Sequence, residues 1–470
     1  MRVTIGKIIV SAVLLTSPGT SARAENDGSS AGLPPISPSP AIESRPDGSN
    51  WSLRSALPSY RSADGAFSLS IQALLQFDAA SYLQSEGAES APPAPGTELS
   101  SGTNFRRAQL GIAGTLFGNW SYMFKGEFGG TGGSDKHARV QSAYFEYDGL
   151  PHIALRIGAY APPAGLEDAT SSSDMLFLER AASSDIVRSS IGGSAREAAS
   201  VLYDDEKYFA ALSYTGGKIN ANSNRNQSRA LLGRLADSVY SDGDSRLVLS
   251  GTAGYMFKAE TASSLVPSER TISFSSFPEV TVDHDGSKLI STGPIETSTP
   301  LFWGVEAGGT WQSIFGQAGY FAYVVPDRRT TDGELVRQTL NLDGWYLEFS
   351  WLLTGEHRNY SSKAAAFTAP DPRSPFSIKN GMVGAWEIAA RYSVVDLNEN
   401  VGQPQQPMPL GGIRGGRQSV WTLGINWYPT SEWRFALDLQ NVDVSRLDEV
   451  TGGNLDRRIQ IISMRAQFSL

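Results

Sequence analysis

The chain has no cysteine, four histidines and only nine lysines in 470 residues, and each shortage excludes a class of chemistry. Without cysteine there is no disulfide framework and no thiolate site, so an exported chain must draw its stability from a large core or from lipid. His137, His152, His284 and His357 are scattered and show no H-x-x-x-H spacing, which leaves metal ligation and a Ser-His hydrolase unsupported. Basic charge is also scarce, 39 Lys and Arg against 48 Asp and Glu, and nothing suggests nucleic acid as a partner. Missing too is any apolar run of the roughly 20 residues that a membrane-crossing helix requires. The one apolar stretch near the start, residues 8–15, is short and gives way to Ser17, Pro18 and Gly19.

That stretch reads as the centre of a secretory signal, residues 1–24, with Arg2 and Lys7 before it and the small-x-small site Ala22-Arg23-Ala24 after it. Cleavage would remove Arg2, Lys7 and Arg23 and no acid, so 39 basic residues become 36 against 48 acidic ones, a formal charge of −12. Residues 25–66, rich in Ser, Pro, Gly and Ala, have neither helical nor strand periodicity and read as a flexible periplasmic segment.

What the chain does have is aromatic residues, 10 Trp, 17 Tyr and 20 Phe, despite a mean hydropathy of −0.23. From Phe67 onward it runs in segments of about ten residues with period-two alternation, the length and pattern of tilted strands in a barrel wall. In residues 345–351 the lipid-facing set is Trp345, Leu347, Phe349 and Trp351, with Tyr346, Glu348 and Ser350 facing in. Trp386, Ile388, Ala390, Tyr392 and Val394 form another outward set, as do Trp421, Leu423, Ile425 and Trp427, and Trp433, Phe435, Leu437 and Leu439. The last such segment runs to the chain end, with Ile462, Met464, Ala466, Phe468 and Leu470 outward.

Sixteen segments are expected, starting near Phe67, Asn104, Asn119, Ala138, His152, Glu197, Lys207, Ser228, Arg246, Pro300, Phe315, Asp343, Gly384, Arg417, Ser431 and Arg457. Connections alternate between tight turns, such as Phe117-Gly118-Asn119, and long loops at 80–103, 161–196, 258–299 and 397–416. The long stretch 355–383 breaks the alternation: it falls on the side of the tight turns, as an elaborated turn or as a sign that two strands have been miscounted. The fold class is thus all-β, a transmembrane antiparallel barrel over 67–470, in the outer membrane of a Gram-negative bacterium.

Several motifs, in shared order along the chain, resemble the phosphate-selective porin O and P family. They include Phe105-Arg106-Arg107-Ala108-Gln109-Leu110-Gly111, Gly118-Asn119-Trp120-Ser121-Tyr122, Phe145-Glu146-Tyr147-Asp148-Gly149-Leu150-Pro151 and Leu178-Glu179-Arg180. Later come Leu353-Thr354-Gly355-Glu356, Gly384-Ala385-Trp386-Glu387 and Leu423-Gly424-Ile425-Asn426-Trp427-Tyr428-Pro429. The resemblance implies a passive porin for small hydrophilic solutes, with anions, phosphate or polyphosphate as the first candidates. It also implies a homotrimer and a constriction loop folded into the lumen, for which 161–196 is the candidate. Outer-membrane lipid is the expected partner; no cofactor and no catalytic residue is expected. A receptor or adhesin barrel, or an outer-membrane barrel enzyme, is the alternative.

Arg106 and Arg107 match the family's paired arginines, whereas Gln109 stands where phosphate-binding members carry a tyrosine and Ala159 where many carry a lysine. These departures suggest a broader channel. Strand parity turns Arg107, Lys125, Arg156, Arg234, Arg391, Arg434 and Arg465 inward, together with the acids Glu127, Glu146, Glu306, Glu348, Glu387 and Asp438. The pore-lining candidates are therefore Arg106, Arg107, Gln109, Lys125, Arg156, Arg391, Arg434 and Arg465, joined by Arg180, Arg188 and Arg196 of the proposed constriction loop. A polar lumen needs such residues whatever it conducts, and opposite charges on neighbouring strands pair across a wall.

Overall fold

The computed structural model describes residues 43–44, 50–54, 57–85, 98–130, 138–193, 195–219, 227–261, 270–283, 288–297, 299–331 and 334–470. The signal and most of the expected periplasmic segment lie outside them. The described residues belong to one compact unit, Ile42–Leu470.

Sixteen strands among these residues form the barrel: β1 Ser68–Ser85, β2 Gly102–Leu116, β3 Trp120–Glu127, β4 Arg139–Leu150, β5 Ile153–Tyr160, β6 Arg196–Asp204, β7 Tyr208–Lys218 and β8 Arg229–Asp242, then β9 Ser245–Lys258, β10 Leu301–Trp311, β11 Ile314–Thr331, β12 Glu334–Leu352, β13 Ala385–Glu399, β14 Ile413–Tyr428, β15 Trp433–Ser445 and β16 Arg457–Ser469. Each pairs antiparallel with the next, and β16 pairs with β1 from Arg458↔Ser85 to Ser469↔Leu74, which closes the sheet on itself. Closure satisfies every edge, the condition for strands to cross hydrocarbon. A short strand, Leu57–Arg61, adds to the foot of β1.

Period-two alternation produces this wall because each parity meets a different solvent. Along β15 and β16 buried and exposed residues alternate over most of their length. Trp120, Trp303, Trp311, Trp345, Trp351, Trp386, Trp421 and Trp433 are exposed on the outer surface, where aromatic girdles meet the membrane interfaces. Val394, expected outward, is instead buried beside Val395, where the alternation of β13 ends.

The hairpin of β11 and β12 runs on to Thr331↔Glu334, well past the expected start at Asp343. The tight turn after β2 places Phe117 and Gly118 at φ 55° and 80°, the left-handed geometry that a hairpin reversal requires. The misfit stretch 355–383 proves to be an elaborated turn on the tight-turn side, so the strand count stands. It carries its own two-residue hairpin, Tyr360–Ser361 with Ala366–Phe367.

The lumen differs from the uniformly polar one that the alternation implied. Toward the long-loop end the inward residues turn apolar: Phe302, Phe321, Tyr323, Val325, Leu340, Val395, Leu397 and Ile461 share one buried cluster with Ile186 and Val187 of helix α2 (Ala182–Ser190) and with Phe274, Val280 and Ile290 of the loop after β9. Loops that fold inward need a dry seat, and these strand positions supply it.

Candidate functional site

Among the described residues, at least three connections enter the lumen. The 161–195 loop holds the short helix α1 (Leu166–Ala169) and α2, and its middle lies against the far wall. There Leu178 N–H donates to Asp438 (3.0 Å), while the carbonyls of Leu178 and Leu176 accept from Arg465 (2.7 Å) and Arg434 (2.8 Å). The loop after β9 brings in Glu279, and the 353–384 turn brings in Arg358 and Lys363.

On the wall of β12–β16 the inward cations are buried and engaged. Arg391, 1% exposed, is paired with Glu279 at 2.6 Å and with Glu167 at 3.5 Å, so a single guanidinium ties two loops to β13. Arg358 grips Glu387 through two bonds of 2.8 and 3.0 Å, and Glu387 also accepts from Ser350 and Tyr428. Arg434 donates to the Asn426 side chain at 2.7 and 3.0 Å. Arg465 is bidentate to Asp78, both bonds 2.7 Å. The same holds for Arg234 on β8, whose donors end on the carbonyls of Ala364 and Ala365.

Arg106 and Arg107 both face inward, which simple alternation forbids. A bulge explains it: Gln76 pairs with Arg107 and Phe77 with Phe105, so Arg106 is the extra residue on β2 and turns toward the lumen. Both arginines meet Glu179 of the 161–195 loop, Arg106 at 2.7 and 3.0 Å and Arg107 at 3.2 and 3.3 Å, and Arg465 joins them at 3.2 Å. Burial pushes the Glu179 carboxyl up, but the guanidiniums of Arg106, Arg107 and Arg465 outweigh it and hold the group well below the usual carboxylate range. Glu167 goes the other way: burial and the neighbouring Glu348 carboxylate raise it well above that range despite Arg391.

The wall of β1–β7 is different. Between it and the loop lies a cavity of about 340 Å³, lined by Gln72, Gln109, Lys125, Gln141, Arg156, Arg180, Arg188, Lys363 and Asp168 among others, and reaching Leu470 at the chain end. Five of its lining side chains are cationic and one, Asp168, is acidic. Arg188 pairs with Asp168 at 2.6 Å, and Arg180 donates to the carbonyls of Glu167, Asp168 and Thr170. Arg156 pairs with Glu146 at 2.6 Å and lies over the Tyr144 ring. Gln109 donates to Glu127 at 2.8 Å. Lys125 and Lys363 form no ion pair among the described residues. Gln141 reaches this cavity through a second bulge, at Lys125/Gly126.

A family model described as phosphate-selective porin O and P matches residues 92–470. The chain belongs to that family. Porin O of Pseudomonas aeruginosa is 23% identical over 363 residues, covering 75% of this chain and 78% of that one. Among solved structures, OprB of Pseudomonas putida is similar with a TM-score of 0.49 at 10% identity, over 87% of this chain and 95% of that one. The outer membrane channel DcaP of Acinetobacter baumannii gives a TM-score of 0.47 at 10% identity, over 87% and 99% of the two chains.

The protein is an outer-membrane porin, a channel and not an enzyme. Within this porin the sequence-derived candidates separate. Gln109, Lys125, Arg156, Arg180 and Arg188 line one cavity, whereas Arg106, Arg107 and Arg465 gather on Glu179. Arg391 and Arg434 are locked into the opposite wall. Arg196, assigned to the constriction, instead donates to the carbonyls of Gly193, Gly216, Ser189 and Ser190 and so fastens the end of the loop. Glu146 and Glu387, both assigned inward by parity, are each held by a different arginine, Arg156 and Arg358. Sequence reading missed Asp78, an inward residue of β1, and it missed Glu279, Arg358 and Lys363 because no strand pattern shows that a loop or turn will fold inward. The off-pattern length of 355–383 was the one available sign.

Proposed function

We propose that this porin prefers anions, phosphate and polyphosphate among them, and that they pass along the β1–β7 side of the lumen. The carrying observation is the lining of the 340 Å³ cavity, five cationic side chains and one acidic one in a chain that is acidic overall. Guanidinium and ammonium groups there replace part of the hydration an anion loses on entry, through charge-assisted hydrogen bonds. Two of the five, Lys125 and Lys363, form no ion pair among the described residues and supply most of the positive field, with Glu127 acting on Lys125. Asp168, Glu146 and the Gln109–Glu127 contact temper that field, which favours a broad anion channel over a phosphate-specific one.

Export begins with cleavage after Ala24, residues 25–66 remain as a periplasmic lead-in whose end, Leu57–Arg61, pairs with the foot of β1, and the working form is a homotrimer. Single-channel conductance in a planar bilayer tests the reading, with chloride and phosphate as the only anions in successive runs. Both salts should carry current, with phosphate binding visible as saturation at lower concentration. Conductance that follows the cation and ignores the anion would remove the anion preference and leave the porin.

A further inference from the structure

The Arg106, Arg107 and Arg465 cluster already holds an anion, and that anion is part of the chain. Both carboxylate oxygens of Glu179 are engaged, with five guanidinium contacts between 2.7 and 3.3 Å, and its side chain is 11% exposed. The backbone around Glu179 does not depend on that carboxylate. Leu178 is fastened to Asp438 and Arg465, and the Glu179 carbonyl accepts from Arg391 at 2.9 Å. Two of the three arginines likewise keep other partners, Arg465 with Asp78 and Arg107 with Gln76 at 2.7 Å. Arg106 donates to Glu179 alone among the described residues, and it reaches the lumen only through a bulge that gives up a ladder position. Removing the carboxylate would therefore leave a fixed loop, two oriented guanidiniums and a third with open donors.

We infer that Glu179 is a tethered stand-in for the solute: its carboxylate occupies a three-guanidinium oxyanion site and competes with phosphate-type anions for it. The inference rests on the anion reading above and adds that the protein holds down its own affinity. Parallel donor pairs of guanidinium match two oxygens of a carboxylate or of a phosphate equally well, so one can replace the other without rearranging the arginines. The bound carboxylate cancels charge that would otherwise trap a passing anion, and conduction requires binding weak enough to release.

The test uses the full barrel in a planar bilayer, with chloride current titrated by inorganic phosphate. Glu179→Gln should lower the half-blocking phosphate concentration by about tenfold, the scale of one lost competing ion pair, and adding Arg106→Gln to it should abolish the gain. Glu179→Asp, which keeps the charge on a shorter arm, should fall between wild type and Glu179→Gln, and it serves if the glutamine variant does not fold. An unchanged or raised half-blocking concentration in Glu179→Gln overturns the inference and makes the contact a structural pin. Wild-type zero-current potentials measured in the same bilayers separate the two claims. Cation preference there sinks the anion reading itself, whereas anion preference with an inert Glu179→Gln sinks only the role of Glu179.

Discussion

The two sides of the lumen both carry inward cations and use them differently. On the β12–β16 wall, Arg358, Arg391 and Arg465 meet carboxylates from strands and infolded loops, are 3% exposed or less, and act as fasteners. On the β1–β7 wall, Lys125, Arg156, Arg180, Arg188 and Lys363 surround a cavity with one acid among its lining residues. What decides whether an inward cation binds solute or binds protein is the segment that folds in against it. A loop bringing Glu279, or a turn bringing its own arginine to Glu387, turns pore wall into interior.

Breaking the filled side should have the largest effect. Arg391→Met leaves Glu279 and Glu167 buried without their cation, and loss of one partner of a buried pair costs about 3–5 kcal/mol. The denaturant midpoint of the refolded barrel should fall accordingly, and the single-channel current should become noisy as two loops loosen. A silent Arg391→Met would mean that the filled side is held by its apolar cluster instead. Arg358→Met should come next. It frees the 353–384 turn from Glu387 and from the Asp174 carbonyl, so protease added on the turn side should cut within 355–383 and mean conductance should rise. Unaltered cleavage would contradict the role of Arg358 as the anchor of that turn.

The open side is sharpened by neutralisation. Lys125→Gln combined with Lys363→Gln should reduce the chloride-to-potassium permeability ratio several-fold and leave stability within about 0.5 kcal/mol, because neither lysine forms an ion pair among the described residues. Lys379→Gln, exposed on the same turn but outside the cavity lining, should do nothing. Equal effects of the two changes would remove the cavity from the conduction path.

The smallest expected effect is linked to pH. Glu167 is raised well above its ordinary 4.5, so the folded barrel binds its proton more readily than the unfolded chain does. Its contribution is then most favourable below 4.5 and declines as pH rises through the folded value. The stabilisation produced by Glu167→Gln should accordingly be larger at pH 8 than at pH 5, as read by unfolding midpoints. Glu179, held low, has the opposite sign: its contribution is complete above 4.5 and is lost only as pH falls toward the depressed value. No Glu179-linked step should therefore appear between pH 8 and pH 5.

The barrel was readable in the sequence because lipid on one face and polar surroundings on the other impose a period of two that every strand must obey. Trp345, Glu348, Trp421 and Arg465 lie on the faces that parity assigned. The paired arginines were readable only as a motif. Parity turned Arg107 inward and left Arg106 outward, since a bulge depends on the register of the partner strand and not on local pattern. Least readable was the division of the lumen. Glu279 and Arg358 act across more than a hundred and about thirty residues of chain respectively, on Arg391 and Glu387, and the apolar seat for the loop after β9 looks like ordinary strand sequence. Parity tells which way a side chain points and is silent on what comes to meet it.

The most direct test of the central claim is the zero-current potential of the wild-type channel across a potassium chloride gradient. The basic cavity predicts a potential of the sign set by chloride, which collapses toward zero when Lys125 and Lys363 are neutralised. A wild-type potential of the sign set by potassium would contradict the account.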